Sequence, residues 1–267
     1  MSDANYYDRF ANNQQEEKPQ KEKKKQVVDS STGLSIAKVY GYMFIGLLIT
    51  AAISLGLGVV FANILLKDAG TTIDARMQTN AAIILIALLI VSLIAIIVLS
   101  IVVPIVAIRN KHSVLVPAIL YSVFMGIALS SLTIFVDWYL LGLTFGITSL
   151  VFGLMALIAL LSKSRLNGLA IAAIGLFVGA ALLSLALWIL MLVGVFSEPL
   201  YWLIALLTFA AVMLITIWDM ARIKAIAQKG EMNQNLSLYC AYILYNDFII
   251  IFLKILRFVI VIMGSKR

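Results

Sequence analysis

Residues 201–223 read YWLIALLTFAAVMLITIWDMARI, and residues 236–256 read LSLYCAYILYNDFIIIFLKIL. Each stretch can cross a bilayer as a helix, because about 20 apolar residues match a hydrocarbon core roughly 30 Å thick. Each also carries a carboxylate within its apolar run, Asp219 in the first and Asp247 in the second. An ionisable side chain at membrane depth is expensive. It pairs with another such group, lines a path or marks an ion site. The two stretches therefore imply an all-α membrane fold, and they nominate a pair of acids as a proton- or cation-responsive site.

The rest of the chain agrees with a membrane bundle. Of its 267 residues, 63% are hydrophobic and only 12% are charged. Its mean hydropathy of +1.06 is too high for a soluble domain of this size. Apolar runs at about 36–65, 81–107, 113–136, 139–162, 168–196, 199–227 and 236–263 predict seven spans. Residues 81–108, 113–136, 138–162 and 199–218 contain no charged side chain at all. Backbone groups in a bilayer core must be satisfied within their own segment, so each span is expected to be helical. The short alternating segments of a β-barrel are absent.

Residues 1–33 are different. They are polar and include the run Lys21, Glu22, Lys23, Lys24, Lys25, with no apolar core of a signal peptide. They are expected to form a disordered, basic cytoplasmic tail that can touch anionic headgroups. The seven-helix transmembrane domain is then 34–267.

The net charge of +7 is read as loop charge in a membrane protein, not as a nucleic-acid surface. Basic residues cluster after span 2 (Arg109, Lys111, His112), after span 4 (Lys163, Arg165) and near the end of span 6 (Arg222, Lys224, Lys229, against Glu231). In the alternate loops, Lys67, Asp68, Asp74 and Arg76 cancel, and Asp137 and Glu198 are acidic. The positive-inside rule puts the N-terminus in the cytoplasm, and an odd number of spans puts the C-terminus outside. Lys266 and Arg267 oppose this and are outvoted by three basic loops. Trp138, Tyr139, Tyr201 and Trp202 fall at the outer interface, where aromatic belts form.

Other chemistry is sparse. The single cysteine, Cys240, and the single histidine, His112, permit no intrachain disulfide and no imidazole or thiolate metal cluster. No resident cofactor and no enzymatic activity are expected. An intramembrane aspartic protease would need a Gly-Asp motif, whereas Asp219 follows Trp218 and Asp247 follows Asn246. Small residues at Gly168, Ala172, Gly175 and Gly179, and at Gly142, Gly146, Ser149 and Gly153, suggest where helices approach closely.

The two acids lie on consecutive spans joined by AQKGEMNQN, residues 227–235. Gly230 can end one helix, and Asn235 or Ser237 can cap the next. Residue 233 is 14 positions from each aspartate, so an antiparallel hairpin brings them to similar depth. Two nearby carboxylates in a low dielectric cannot both ionise cheaply, and they hold a shared proton. Raising the pH removes that proton, and a cation can replace it. Two carboxylates make only a weak calcium site, because calcium takes six to eight oxygens. Asn246 or Thr216 is a candidate for further oxygens, and Lys254 and Arg257 snorkel outward or face a cavity. Asp219 can alternatively pair with Arg222 or Lys224 near a helix end.

TIWDMARIK, a short basic loop, and then AYILYNDFIIIFLKILRF resemble the Bax inhibitor family of transmembrane proteins, including its bacterial members. Leu244, Tyr245, Asn246, Asp247, Phe248 and Ile249, followed by Ile255, Leu256 and Arg257, stand at the positions of the family's last-span motif. The resemblance implies seven helices with the last one central, wrapped by the other six. It implies a pH-sensitive calcium leak of the cell membrane governed by Asp219 and Asp247, with Arg109 as the arginine that latches the pair. The chain departs from relatives in having no glutamate between residues 81 and 108, Asn246 in place of a common leucine, and Ile250 in place of a common asparagine. The expected partners are the lipid bilayer and calcium or protons, with no nucleic acid. The alternative is a membrane interaction protein that modulates membrane protein quality control or a membrane protease, using the tail at 1–33.

Overall fold

The computed structural model describes the backbone of residues 4–65, 72–109, 113–162, 167–194 and 197–264, and side chains over a narrower set that begins at residue 31. Among the described residues there are seven α-helices and no strand. They are α1 (Ala4–Leu65), α2 (Thr72–Arg109), α3 (Leu115–Phe135), α4 (Trp138–Leu161), α5 (Asn167–Leu192), α6 (Glu198–Gln228) and α7 (Gln234–Gly264). Six are long and apolar enough to cross a membrane, counting α1 from Ser31. The expected tail at 1–33 falls almost wholly on residues whose side chains lie outside the described set. So do the loop charges Lys67, Asp68, Asp74, Lys111, His112, Lys163, Arg165, Lys266 and Arg267.

α7 is the most enclosed element. Between Ser237 and Leu256 only Ile250 and Leu253 are exposed. Leu244, Tyr245, Phe248, Ile251 and Ile255 join one apolar core with Val39 and Met43 of α1, Val103 of α2, Tyr121 of α3, Phe152 and Met155 of α4, and Val212 of α6. α7 packs against α1, α2, α3, α4 and α6. The arrangement differs from the expected ring in one respect. α5 packs on α6, so five helices surround α7, not six. The exposed sides of α2 and α5, such as Ile83, Ile90 and Ile97 or Ile171, Leu182 and Trp188, form a wide apolar surface suited to acyl chains.

The close approaches are not where the small-residue spacing suggested. A Cβ added at Gly142, Gly146, Gly153, Gly168, Gly175 or Gly179 would meet nothing within 4 Å. The tight contact is between α1 and α3. A Cβ on Gly58 would overlap the Thr133 hydroxyl. One on Gly126 would lie 2.9 Å from the Thr50 carbonyl oxygen, and one on Gly46 would lie 3.2 Å from Ser122 Oγ. Hydroxyls fasten the same seam: Thr133 Oγ1, which donates to the Ser130 carbonyl of its own helix at 2.7 Å, also reaches the Ser54 carbonyl of α1 at 3.4 Å, and Thr50 Oγ1 donates to the Ser122 carbonyl of α3 at 2.9 Å.

Candidate site at the α6–α7 hairpin

α6 starts with Pro199 in its first turn behind Ser197, and Glu198 sits at its positive end. It stops at Gln228. Gly230 then takes φ +72°, a left-handed conformation that ends a helix at little cost for glycine. α7 is capped by Asn233, whose Oδ1 accepts the Leu236 N–H at 2.7 Å. The expected caps are engaged differently. Asn235 Oδ1 accepts from the Val114 N–H at 3.4 Å, and Ser237 Oγ donates to the Asn233 carbonyl at 2.9 Å.

These ends shift the register. Helices that finish at Gln228 and restart at Gln234 centre the hairpin on residue 231, not 233. Asp247 is then about 6 Å, one turn, deeper than Asp219 at 1.5 Å per residue. The charge of Asp219 reaches two groups on α7, Cys240 and Asp247, one turn to either side of its own level. The same register sets Thr216 level with Asp247 and Thr208 level with Lys254. The Thr216 hydroxyl lies beside the Asp247 carboxyl, and Lys254 Nζ donates to Thr208 Oγ1 at 2.9 Å. Buried Asp247 and half-buried Lys254 thus each meet a threonine on α6.

Asp247 is only 7% exposed. Among the described residues its Oδ2 is a buried side-chain oxygen without a hydrogen-bond partner. Its polar neighbour on α6 is Thr216, which is fully buried and donates its O–H to the Val212 carbonyl at 3.0 Å. Toward Asp247 this hydroxyl offers lone pairs, which suit a protonated carboxyl. Asp219 is half-buried. Lys224 is not its partner, because Nζ donates to the Leu160 and Ser162 carbonyls at the end of α4, where the helix dipole favours a cation. Arg222 is the cation whose field reaches Asp219. Its guanidinium sits 5.5 Å from the centroid of the Trp218 ring.

The remaining expected site residues are spread out. Arg109 is exposed at the end of α2, and the charge that Asp219 meets comes from Arg222 instead. Asn246 faces α3, where Tyr121 donates to its Oδ1 at 2.6 Å. Arg257 lies over the Tyr201 ring at 4.5 Å, beside the stacked pair Trp202 and Phe258. Thr208 was not anticipated. A threonine in an apolar helix usually bonds its own backbone, as this one does to the Ala205 carbonyl at 2.9 Å, and nothing in the sequence distinguishes one that also faces a lysine. Among the described residues no group of three or more His, Cys, Asp or Glu gathers to hold a metal.

Residues 33–266 match the family model described as inhibitor of apoptosis-promoting Bax1. The chain is 29% identical over 251 residues to inner membrane protein YbhL of Escherichia coli strain K12, covering 90% of this chain and 96% of the relative. It is 31% identical over 150 residues to uncharacterized protein RP147 of Rickettsia prowazekii, covering 55% and 60% respectively. No solved structure matches. With a match that runs from the first apolar span to the end of α7, the chain is a member of the Bax inhibitor family.

Proposed function

We propose that this chain is a pH-sensitive cation leak of the inner membrane, with calcium as the principal ion and Asp219 and Asp247 as the gate and weak binding site. The observation that carries the reading is the buried Asp247 carboxyl, which has an unpartnered oxygen and lies within the field of a second carboxylate. An isolated buried carboxylate costs several kcal/mol after relaxation. The site is therefore stable only with a proton or a cation on it, and the two compete. Two carboxylates with a threonine hydroxyl fall short of the six to eight oxygens calcium takes, so a bound ion is held weakly enough to leave, as conduction requires. The inner-membrane placement follows the description of YbhL. No covalent chemistry enters this reading.

The test is calcium entry into liposomes containing the purified chain, from about pH 6 to about pH 8, a range in which a paired, buried carboxyl can titrate. Asp219→Asn and Asp247→Asn should each flatten the pH dependence. The double variant should add little to the stronger single one, since coupled groups are non-additive. Single variants that kept the wild-type profile would make the pair structural.

A further inference from the structure

α1 and α4 flank α7 with little direct packing against each other, and the gap between them is a cavity of about 440 Å³. Phe248, Ile249 and Phe252 of α7 form its floor, with Leu129 and Leu132 of α3 at the back. Its rims are apolar and exposed: Leu48 and Leu55 on α1, Trp138 and Phe145 on α4. The groove is therefore continuous with the lipid-facing surface of the bundle.

Two of its three hydroxyls make no demand for water. Thr50 and Thr133 already donate to the Ser122 and Ser130 carbonyls. The length is also informative. From Leu47 to Leu55 on α1 is about 12 Å at 1.5 Å per residue, close to the roughly 15 Å of one leaflet's hydrocarbon. Trp138, at the first residue of α4, stands at the interfacial end, where tryptophan settles. An apolar groove of one leaflet's length, open sideways to the bilayer and floored by fixed aromatic rings, has the shape of a chain slot.

We propose that this groove is a binding site for one acyl chain of a bilayer phospholipid, entering from the membrane face at which α3 turns to α4. The chain lies against Phe248 and Ile249, the residues that follow Asp247, so it props the helix that carries the candidate site.

Gly142 provides the test, because it lines the groove and a Cβ there meets nothing within 4 Å. Gly146, one turn on, is equally open but does not line it. The full chain would be reconstituted in phosphatidylethanolamine–phosphatidylglycerol vesicles, released in mild detergent and weighed by native mass spectrometry. Wild type and Gly146→Phe should each retain one phospholipid, and Gly142→Phe should lose it at least tenfold. Equal loss from both variants would mean ordinary surface lipid and overturn the proposal, as would retention in Gly142→Phe or no retained lipid in wild type. A wild-type dimer that Gly142→Phe dissociates would assign the groove to a second copy instead. Should Gly142→Phe fail to fold, Leu48→Trp narrows the mouth from the α1 side and carries the same expectation. The readout is lipid retention, so it stands or falls separately from any flux measurement.

Discussion

At the scale of single residues, the chain shows how a charge in an apolar run can be legible while its partner is not. Asp247 stands out in the sequence because no other charge lies within six positions, and its burial follows from the cost of exposing a carboxylate to lipid. Thr216 is as important to the geometry and gave only a weak signal, since threonine is unremarkable in a membrane helix. Its role is testable. Thr216→Val keeps the shape but removes the hydroxyl that meets Asp247, and should lower stability by about 1 kcal/mol in detergent unfolding, the usual worth of a hydrogen bond. If the site conducts as proposed, the variant should also shift the pH profile of the leak, because the carboxyl loses the hydroxyl beside it. Thr216→Ser should restore both properties. A valine variant with wild-type stability and pH profile would remove Thr216 from the site. Lys254 is the second such pair. It lies about 10 Å beyond Asp247 along the helix, so a divalent cation at Asp247 meets roughly 3.3 kcal/mol of repulsion from it at an effective dielectric of about 20. Lys254→Met should therefore raise calcium flux by on the order of a hundredfold, since each 1.4 kcal/mol is about tenfold, and Lys254→Arg should leave it unchanged. Equal flux in wild type and the methionine variant would take Lys254 out of the ion's path.

At the scale of elements, the helices themselves were readable. Uncharged runs such as 81–108 and 138–162 leave the backbone no alternative in a bilayer, and α2 and α4 cover them. Helix contacts were not readable, because a glycine declares that a close approach is possible without saying what approaches. The GxxxG spacing at Gly175 and Gly179 faces open space, while the scattered Gly46, Gly58 and Gly126 hold α1 to α3. Gly58→Ala should cost about 1–3 kcal/mol, as overpacking does, because its methyl would displace Thr133, whose hydroxyl reaches across the seam to the Ser54 carbonyl. Gly175→Ala should change stability by no more than about 1 kcal/mol, in the stabilising direction, since alanine is the better helix former. Thermal unfolding of both variants in one detergent decides the matter. A neutral Gly58→Ala would show that α1 and α3 have slack. The register of the α6–α7 hairpin was half legible for a similar reason. The turn was clear from Gly230, but the cap on Asn233 in place of Asn235 or Ser237 moved its centre by two residues and set Asp247 one turn below Asp219.

At the scale of the whole molecule, α7 decides the topology. Its 31 residues extend about 46 Å, more than the roughly 30 Å of hydrocarbon. Yet it carries Asp247, Lys254 and Arg257 and is wrapped by protein over most of its length. A helix that other helices enclose can carry charges that a lipid-facing one cannot, so these three charged residues are what a central span would show. The positive-inside rule predicts a cytoplasmic N-terminus, and a spanning α7 would then bring Gly264 out on the opposite side. A helix that entered and returned would leave both ends on the same side. Reporters fused after Arg267 separate these cases: a phosphatase that is active only outside the cytoplasm should work, and a fluorescent protein that matures only inside should stay dark. The same pair fused after residue 231, in the basic α6–α7 turn, should behave oppositely. If the fluorescent reporter shone at both positions, α7 would not span. The aspartates would then sit in a pocket reached from the cytoplasm alone, and the leak proposed above would have no exit past Lys254.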